Sequence, residues 1–439
     1  MKISVKNNIF HTQDLCFAQT CDALESSAEM EIYMKVVIAI DSFKGSMTSM
    51  EAGNAAKKGI LAAKPDAEVC LSPLADGGEG TVDALIEGLG AKKIPVTVTG
   101  PLGEKVSCYY GFLEETKSAV MEMASAAGIT LVTKKDPLRA STYGVGEMIA
   151  DALKRGCKNF LIGIGGSATN DAGIGMLQAL GFHFIDEAGK EVGYGAEGLA
   201  QVRSITTEDV LPELALCAFR IACDVTNPLV GAQGCSAVFA PQKGADAKMV
   251  QEMDAAMNRY ADIVEDMYRK NPTLMENQQI GNDEAGKNVE KNDRQSQVKN
   301  RMTPGAGAAG GLGYACLMFL HAVLKPGIDI VLDEIQIAQA IKTADEVITG
   351  EGKLDAQTLM GKTPIGVARI AKSYKVPVYA FAGCFGADVQ VCIDSGVFAE
   401  CYAASAACTE EEKRLAMEKT HAYANLKACV KSHFCTENN

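Results

Sequence analysis

The 439-residue chain has no tryptophan, five histidines and, among fifteen cysteines, no pair spaced C-x-x-C. Without that spacing, and without an H-E-x-x-H, a zinc site is not expected. The cysteines are scattered, and nothing near Met1 has the short apolar core of a secretory signal, so free thiols in a reducing cytoplasm are expected. No apolar run approaches the ~20 residues that cross a bilayer, so no membrane partner is expected. Cations are scarce too: 42 Lys and Arg face 55 Asp and Glu, for a net charge of −13. Gripping a nucleic-acid backbone needs clustered cations, so this balance argues against nucleic acid and leaves small molecules as partners. At 47% hydrophobic and 22% charged the rest is ordinary globular composition, in a chain longer than one core usually serves. Two lobes are expected.

What the chain does have is glycine, 43 residues of it, gathered at the ends of apolar runs. The clearest case is NFLIGIGGSATNDAGIGMLQALG, Asn159 to Gly181. Phe160 to Ile164 is an apolar run of strand length, stopped at Gly165 and Gly166, where positive φ costs little. Ser167, Thr169, Asn170 and Asp171 then offer capping side chains, and Met176, Leu177 and Leu180 follow at helical spacing. Strand, glycine turn and helix N-terminus together suit an anion, though the same sequence serves equally well as a tight connection that binds nothing.

Along the chain, residues 1–33 show no sustained period and read as a loose extension. KVVIAI, Lys35 to Ile40, is the first buried strand and runs into DSFKGS. Thr48 and Glu51 are spaced as a capping box for a helix that reaches Lys64 before Pro65. A strand over Glu68 to Leu71 leads to a second glycine turn, Asp76 to Gly80, and a helix from about Thr81 to Leu89. From about Ile94, short strands parted by turn residues replace β-α alternation, which predicts a mixed lobe over 96–303. It holds the long glycine turn, RIACDVTNPL with Asp224, FAPQKG to Gly244, and a helix whose Met249, Met253, Met257, Tyr260, Val264 and Met267 form one buried face. Residues 271–302 are too polar to offset their ordering entropy and are expected to be a mobile surface insertion. After PGAGAAGGLG, Pro304 to Gly313, strands and helices alternate again, which implies a parallel sheet covered by helices. With the two N-terminal strands this makes an α/β lobe of residues 34–95 and 304–435, into which the mixed lobe is inserted.

Two familiar motifs fail on context. GAGAAG, Gly305 to Gly310, has the spacing of a dinucleotide fingerprint but follows a polar stretch instead of a strand. Gly361, Lys362 and Thr363 look like the end of a P-loop, yet the glycine it requires is Ala356. What survives is repetition: DSFKGS, ADGGEGT, GIGGSATND and TGEGKLD each set glycines beside a carboxylate, hydroxyl or lysine, and PGAGAAGGLG adds a fifth glycine-rich string. Phosphoryl transfer uses such parts, with N–H groups for phosphates, carboxylates for Mg²⁺ or the acceptor's proton, and lysines for developing charge.

The strings MKVVIAIDSFKGSM from Met34, LADGGEGTVDAL from Leu74, TVTGPLG from Thr97, TYGVGE from Thr142, GIGGSATNDAGIGMLQALG from Gly163, ACDVTNPLVG from Ala222, FAPQKGA from Phe239, PGAGAAGGLG from Pro304, KPGIDIVLD from Lys325 and TGEGKLDAQTLMGKTPIGVA from Thr349 stand in order over nearly the whole chain. In them the chain resembles the bacterial glycerate kinases that phosphorylate D-glycerate. That resemblance implies a flavodoxin/Rossmann-like parallel-sheet lobe with a mixed α/β lobe inserted, ATP and Mg²⁺ as cofactors, D-glycerate as substrate and 2-phosphoglycerate as product. On these motifs the catalytic candidates are Lys44, Asp76 and Asp224, with either Asp as proton acceptor or Mg²⁺ holder. Asp41, Ser42, Asn227 and Lys243 are candidates around the substrate. Gly165, Gly166, Ser167, Asn170, Gly307, Gly310 and Glu351 are candidates around nucleotide and phosphates, and Asp171 and Asp355 on the metal. A non-catalytic nucleotide- or sugar-acid-binding regulator on the same fold, 3-phosphoglycerate as product, and a homo-oligomeric state all stay open. Residues 1–33 lie outside the resemblance, and 271–302 are longer than the family's connection.

Overall fold

In the computed structural model the described residues are 33–74, 82, 83, 86, 90–271, 299–405 and 417–436. Their strands, in chain order, are β1 (Lys35–Ile40), β2 (Glu68–Leu71), β3 (Lys92–Thr99), β4 (Lys105–Leu113), β5 (Ser118–Glu122), β6 (Asn159–Gly163), β7 (His183–Ile185), β8 (Ser204–Thr206), β9 (Ala218–Ala222), β10 (Val323–Lys325), β11 (Glu346–Leu354), β12 (Val378–Phe385) and β13 (Glu400–Ala403). The helices that position the site are α1 (Ser49–Ala63), α2 (Tyr143–Lys154), α3 (Ile174–Ala179), α4 (Ala247–Lys270), α5 (Ala308–Phe319), α6 (Gly327–Glu334), α7 (Thr363–Tyr374) and α8 (Lys419–Thr436). The expected turn Asp76 to Gly80, most of the helix after it, residues 1–32 and residues 272–298 lie outside the described residues.

Because β1 is buried on both faces, its sequence is an unbroken apolar run. It sits inside a five-stranded parallel sheet of order β13-β12-β11-β1-β2. Counted along the chain within that sheet, the order is the flavodoxin-like one. Ligands in such sheets collect beyond the carboxyl ends of the strands where the order reverses, here β1 and β11. A second sheet runs β10-β9-β6-β5-β4-β3, parallel from β10 to β5 and antiparallel from β5 to β3. It is mixed, as the turn-rich pattern predicts. Strands β7 and β8 pair separately.

Alternation along β1 sorts the packing. Val36, Ile38 and Ile40 face Ile60 of α1 and Leu426 and Val430 of α8. Val37 and Ala39 face Ile328 and Val331 of α6 and Val367 of α7, in a cluster that also takes in Val120, Leu161 and Ala222 of the second sheet. The far face of the second sheet packs Phe160, Ile162 and Ile221 on α2, α3 and α5. Two boundaries differ from expectation. Strand β10 bonds to β9, so residues 304–325 add their strand to the second sheet. Arg301, inside the segment expected to be mobile, is clamped on α4: its backbone N–H donates to Glu265 at 2.9 Å and its guanidinium reaches Asp262 at 2.6 Å and Glu265 at 2.8 Å.

Candidate active site

Beyond β6 the chain turns at Gly165 and Gly166, both exposed, with Gly166 at φ +71°. A Cβ at Gly165 would meet nothing within 4 Å, so this turn presents an open backbone face. It lines a cleft of about 360 Å³ with Ser167, Asp224, Gln242 and Lys243. Asp224 stands two residues past β9, exposed, and accepts the Gly327 N–H at 2.9 Å at the start of α6. Lys243 is 3% exposed; its ammonium donates to Ser167 Oγ at 2.7 Å and to the Thr169 carbonyl at 2.6 Å. Burial brings its pKa down to about 8. Asn227 stands back from this group, its amide donating to the Gln233 carbonyl at 2.8 Å.

The same turn buries the next two candidates. Asp171 is fully buried, accepting from the Thr142 N–H and hydroxyl, both at 2.8 Å, and from the Gly173 N–H at 3.1 Å. Burial holds its pKa above the usual carboxylate value while these donors pull it back. Asp171, expected on the metal, thus ties this turn to the start of α2. Asn170 is likewise buried, its amide donating to Ser236 Oγ at 3.0 Å and Met253 Sδ at 3.3 Å, so it braces the turn from behind instead of lining phosphates. Gly307 and Gly310, expected around the phosphates, are buried where backbones meet. A Cβ on Gly307 would lie 2.2 Å from the Pro228 carbonyl oxygen, and one on Gly310 2.1 Å from that of Thr169. These glycines let backbones touch, and the cleft is lined by their neighbours Ala308 and Ala309.

A second group gathers where the first sheet reverses its order. Asp41, one residue past β1, accepts the Ser42 N–H at 2.6 Å and the Thr363 hydroxyl at 2.8 Å. A tight turn from Phe43 to Met47, with Gly45 at φ +81°, then holds Lys44 exposed. On β11, Glu351 accepts the Thr358 hydroxyl at 2.6 Å and pairs with Lys362 at 3.1 Å. Burial raises its pKa against those two partners. Asp355 meets Lys353 at 3.1 Å and Lys362 at 3.8 Å; burial raises its pKa, but the two ammonium groups outweigh that and leave it lowered. The carboxylate expected to bind metal thus already shares an ammonium with Glu351. Among the described residues no cluster of three or more His, Cys, Asp or Glu side chains could hold an ion.

Gly165, Gly166, Ser167, Asp224 and Lys243 are therefore brought to one cleft, and Asp41, Ser42, Lys44, Glu351 and Asp355 to the other group. Asp76 lies outside the described residues. Lys362 and Thr363 are additions: the G-K-T string is dismissed as an incomplete P-loop, yet the pair opens α7 and holds Glu351 and Asp41. Pro364, early in a helix that follows a glycine, is the sequence signal for that role.

The chain matches the model of the Glycerate kinase family over residues 36–434. It is 45% identical over 366 residues to a glycerate kinase of Haemophilus influenzae, covering 83% of this chain and 89% of that one. To the glycerate 2-kinase of Escherichia coli it is 43% identical over 366 residues, covering 83% and 89%. A crystal structure from Salmonella typhimurium LT2, provisionally designated glycerate kinase 2, aligns with a TM-score of 0.78 at 39% identity, over 92% of this chain and 98% of that one. With the match running from β1 into α8, the chain belongs to the glycerate kinase family.

Proposed function

We propose that this protein transfers the γ-phosphoryl group of ATP to the 2-hydroxyl of D-glycerate. The observation that carries the reading is the open Gly165–Gly166 turn facing a cleft that also holds Asp224, a phosphate cradle and a carboxylate beyond adjacent parallel strands. The nucleotide's phosphates lie along this turn, and glycerate lies toward the group around Asp41, with Lys44 and Ser42 on its carboxylate. As the 2-oxygen bonds to the γ-phosphorus, the bond from that phosphorus to the β,γ-bridging oxygen breaks. ADP leaves, and the hydroxyl proton passes to Asp224. Backbone N–H groups of the turn and the Ser167 hydroxyl take up charge on the transferring oxygens.

Of the carboxylates assigned to Mg²⁺ from the sequence, Asp171 is turned inward, Asp355 is ion-paired and Asp76 lies outside the described residues, while Asp224 stands exposed at the cleft. Mg²⁺ would come with ATP, and when bound would neutralise charge developing on its phosphates. No helix among the described residues is long and apolar enough to cross a membrane, and their cysteines are unbridged; we place the protein in the cytoplasm. The lobes we propose follow the two sheets, with residues 92–325 inserted between β2 and α6.

The test is phosphorus NMR of the product formed from Mg-ATP and D-glycerate. 2-Phosphoglycerate is expected. A 3-phosphoglycerate signal overturns the choice of hydroxyl, and ATP binding without turnover favours the regulator.

A further inference from the structure

Lys243 is buried, yet its ammonium pairs with no carboxylate among the described residues; its partners are a hydroxyl and a carbonyl. An interior cation without a counter-ion is costly, and folds keep one where an anion completes it. The charged and titratable groups around it do not supply that anion. Asp171 behind the turn is committed to Thr142 and Gly173, Cys235 is a buried thiol held protonated by its surroundings, and Lys135 donates to the neighbouring Gln242 carbonyl at 2.8 Å. Asp224 lines the cleft and is bonded to Gly327.

The second observation concerns Ser167. A hydroxyl that accepts from an ammonium must direct its own hydrogen elsewhere. Ser167 Oγ takes the Lys243 proton at 2.7 Å, donates to no acceptor among the described residues, and lines the cleft beside Gly165 and Gly166. Its O–H can therefore be directed into the cleft, the space a phosphate would fill.

We propose that Lys243 is a positioning residue: it orients the Ser167 hydroxyl toward an ATP phosphate oxygen on the Gly165–Gly166 turn, and its charge reaches the ligand through that hydroxyl. This rests on the cleft being the phosphate-binding part of the kinase site. A bound anion favours the protonated ammonium, and with the Lys243 pKa near 8 the affinity for ATP is then proton-linked in a range where ATP itself no longer titrates.

The experiment is a double-mutant cycle of Lys243→Met and Ser167→Ala, with ATP binding measured by calorimetry from pH 7.5 to 9.5 and thermal melts as the folding control. Each single substitution is expected to weaken ATP binding by roughly 10- to 100-fold, the range of a charge-assisted hydrogen bond, and the double no more than Lys243→Met alone. Wild-type affinity should fall as pH rises through the Lys243 titration, and this dependence should vanish in Lys243→Met. Additive losses would overturn the relay by showing separate contacts to the ligand. Wild-type affinity in well-folded Ser167→Ala would overturn it also, even if Lys243→Met fails to fold. The kinase reading fails separately, if the wild type binds ATP but forms no phosphoglycerate.

Discussion

Asp171→Ala should lower stability by removing the acceptor for three buried donors. The carboxylate takes the Thr142 N–H, the Thr142 hydroxyl and the Gly173 N–H, and it is fully buried. Alanine leaves all three without a partner, at about 1 to 3 kcal/mol each. Relief of the carboxylate's own desolvation, which is what raises its pKa, offsets part of this. A net loss of about 3 to 6 kcal/mol follows. A chain of 439 residues unfolds with an entropy of about 0.9 kcal/mol/K, so the melting temperature should fall by roughly 3 to 7 °C. Asp171→Asn should lose about half as much, because the amide oxygen can face both Thr142 donors. Differential scanning calorimetry measures both variants, alongside activity titrated with Mg²⁺. The pH sign follows from the raised pKa: the native state binds the proton more tightly, so the cost of the buried charge is present above the folded pKa. It is relieved as pH falls toward the unfolded value, and Asp171→Ala should lose that relief. An unchanged melt with a raised Mg²⁺ requirement would refute the reasoning and restore Asp171 as a metal ligand.

Lys44→Met should cut kcat/KM by about 30- to 1000-fold, the usual cost of about 2 to 4 kcal/mol for losing a charged contact to the transferring group. Because Lys44 is exposed on its turn, the melt should stay normal, and unchanged kcat/KM in the folded variant removes the residue from the site. Replacing residues 273–298 by a short Gly/Ser linker should leave activity within about two-fold, since closure entropy varies slowly with length. The graft must spare Arg301; Arg301→Ala should itself lower the melt, because it leaves the half-buried Glu265 of α4 without its partner. A dead but folded linker variant would show that the segment serves the site.

Strand positions were legible because burial writes itself into apolar runs, and the α1 start was legible because Thr48 and Glu51 do cap each other, at 3.2 and 3.0 Å. Neighbour order was less so, since a period of two reports which faces are buried and not which strand lies alongside. Three-residue β10 carries too little pattern to announce its partner β9. The glycines show the limit at the site. Spacing says that a side chain is excluded, but not by what: at Gly165 the space is open, whereas at Gly307 and Gly310 the carbonyls of Pro228 and Thr169 fill it. Lys362 was hidden for a related reason, because a motif tests neighbours in sequence while Glu351 and Asp355 reach Lys362 through folding.

Three aspartates that look alike in the sequence meet three fates, and the donors around each decide which. Asp171 lies well beyond β6, after the chain has turned inward, and has backbone and hydroxyl donors on both oxygens in the interior. A carboxylate so committed is a joint. Asp41, directly after β1, is buried with the Ser42 N–H on one oxygen and the Thr363 hydroxyl on the other, which ties β1 to α7 across the reversal of sheet order. It shapes the floor on which Ser42 and Lys44 stand. Asp224 is exposed two residues past β9, with the N–H of Gly327 on one oxygen. That bond helps set its direction, and the side chain lines the cleft. Of the three it is the one that lines the cleft, which is why we propose it as the proton acceptor, and the donors that separate it from Asp41 and Asp171 are brought together by folding and not by position in a motif.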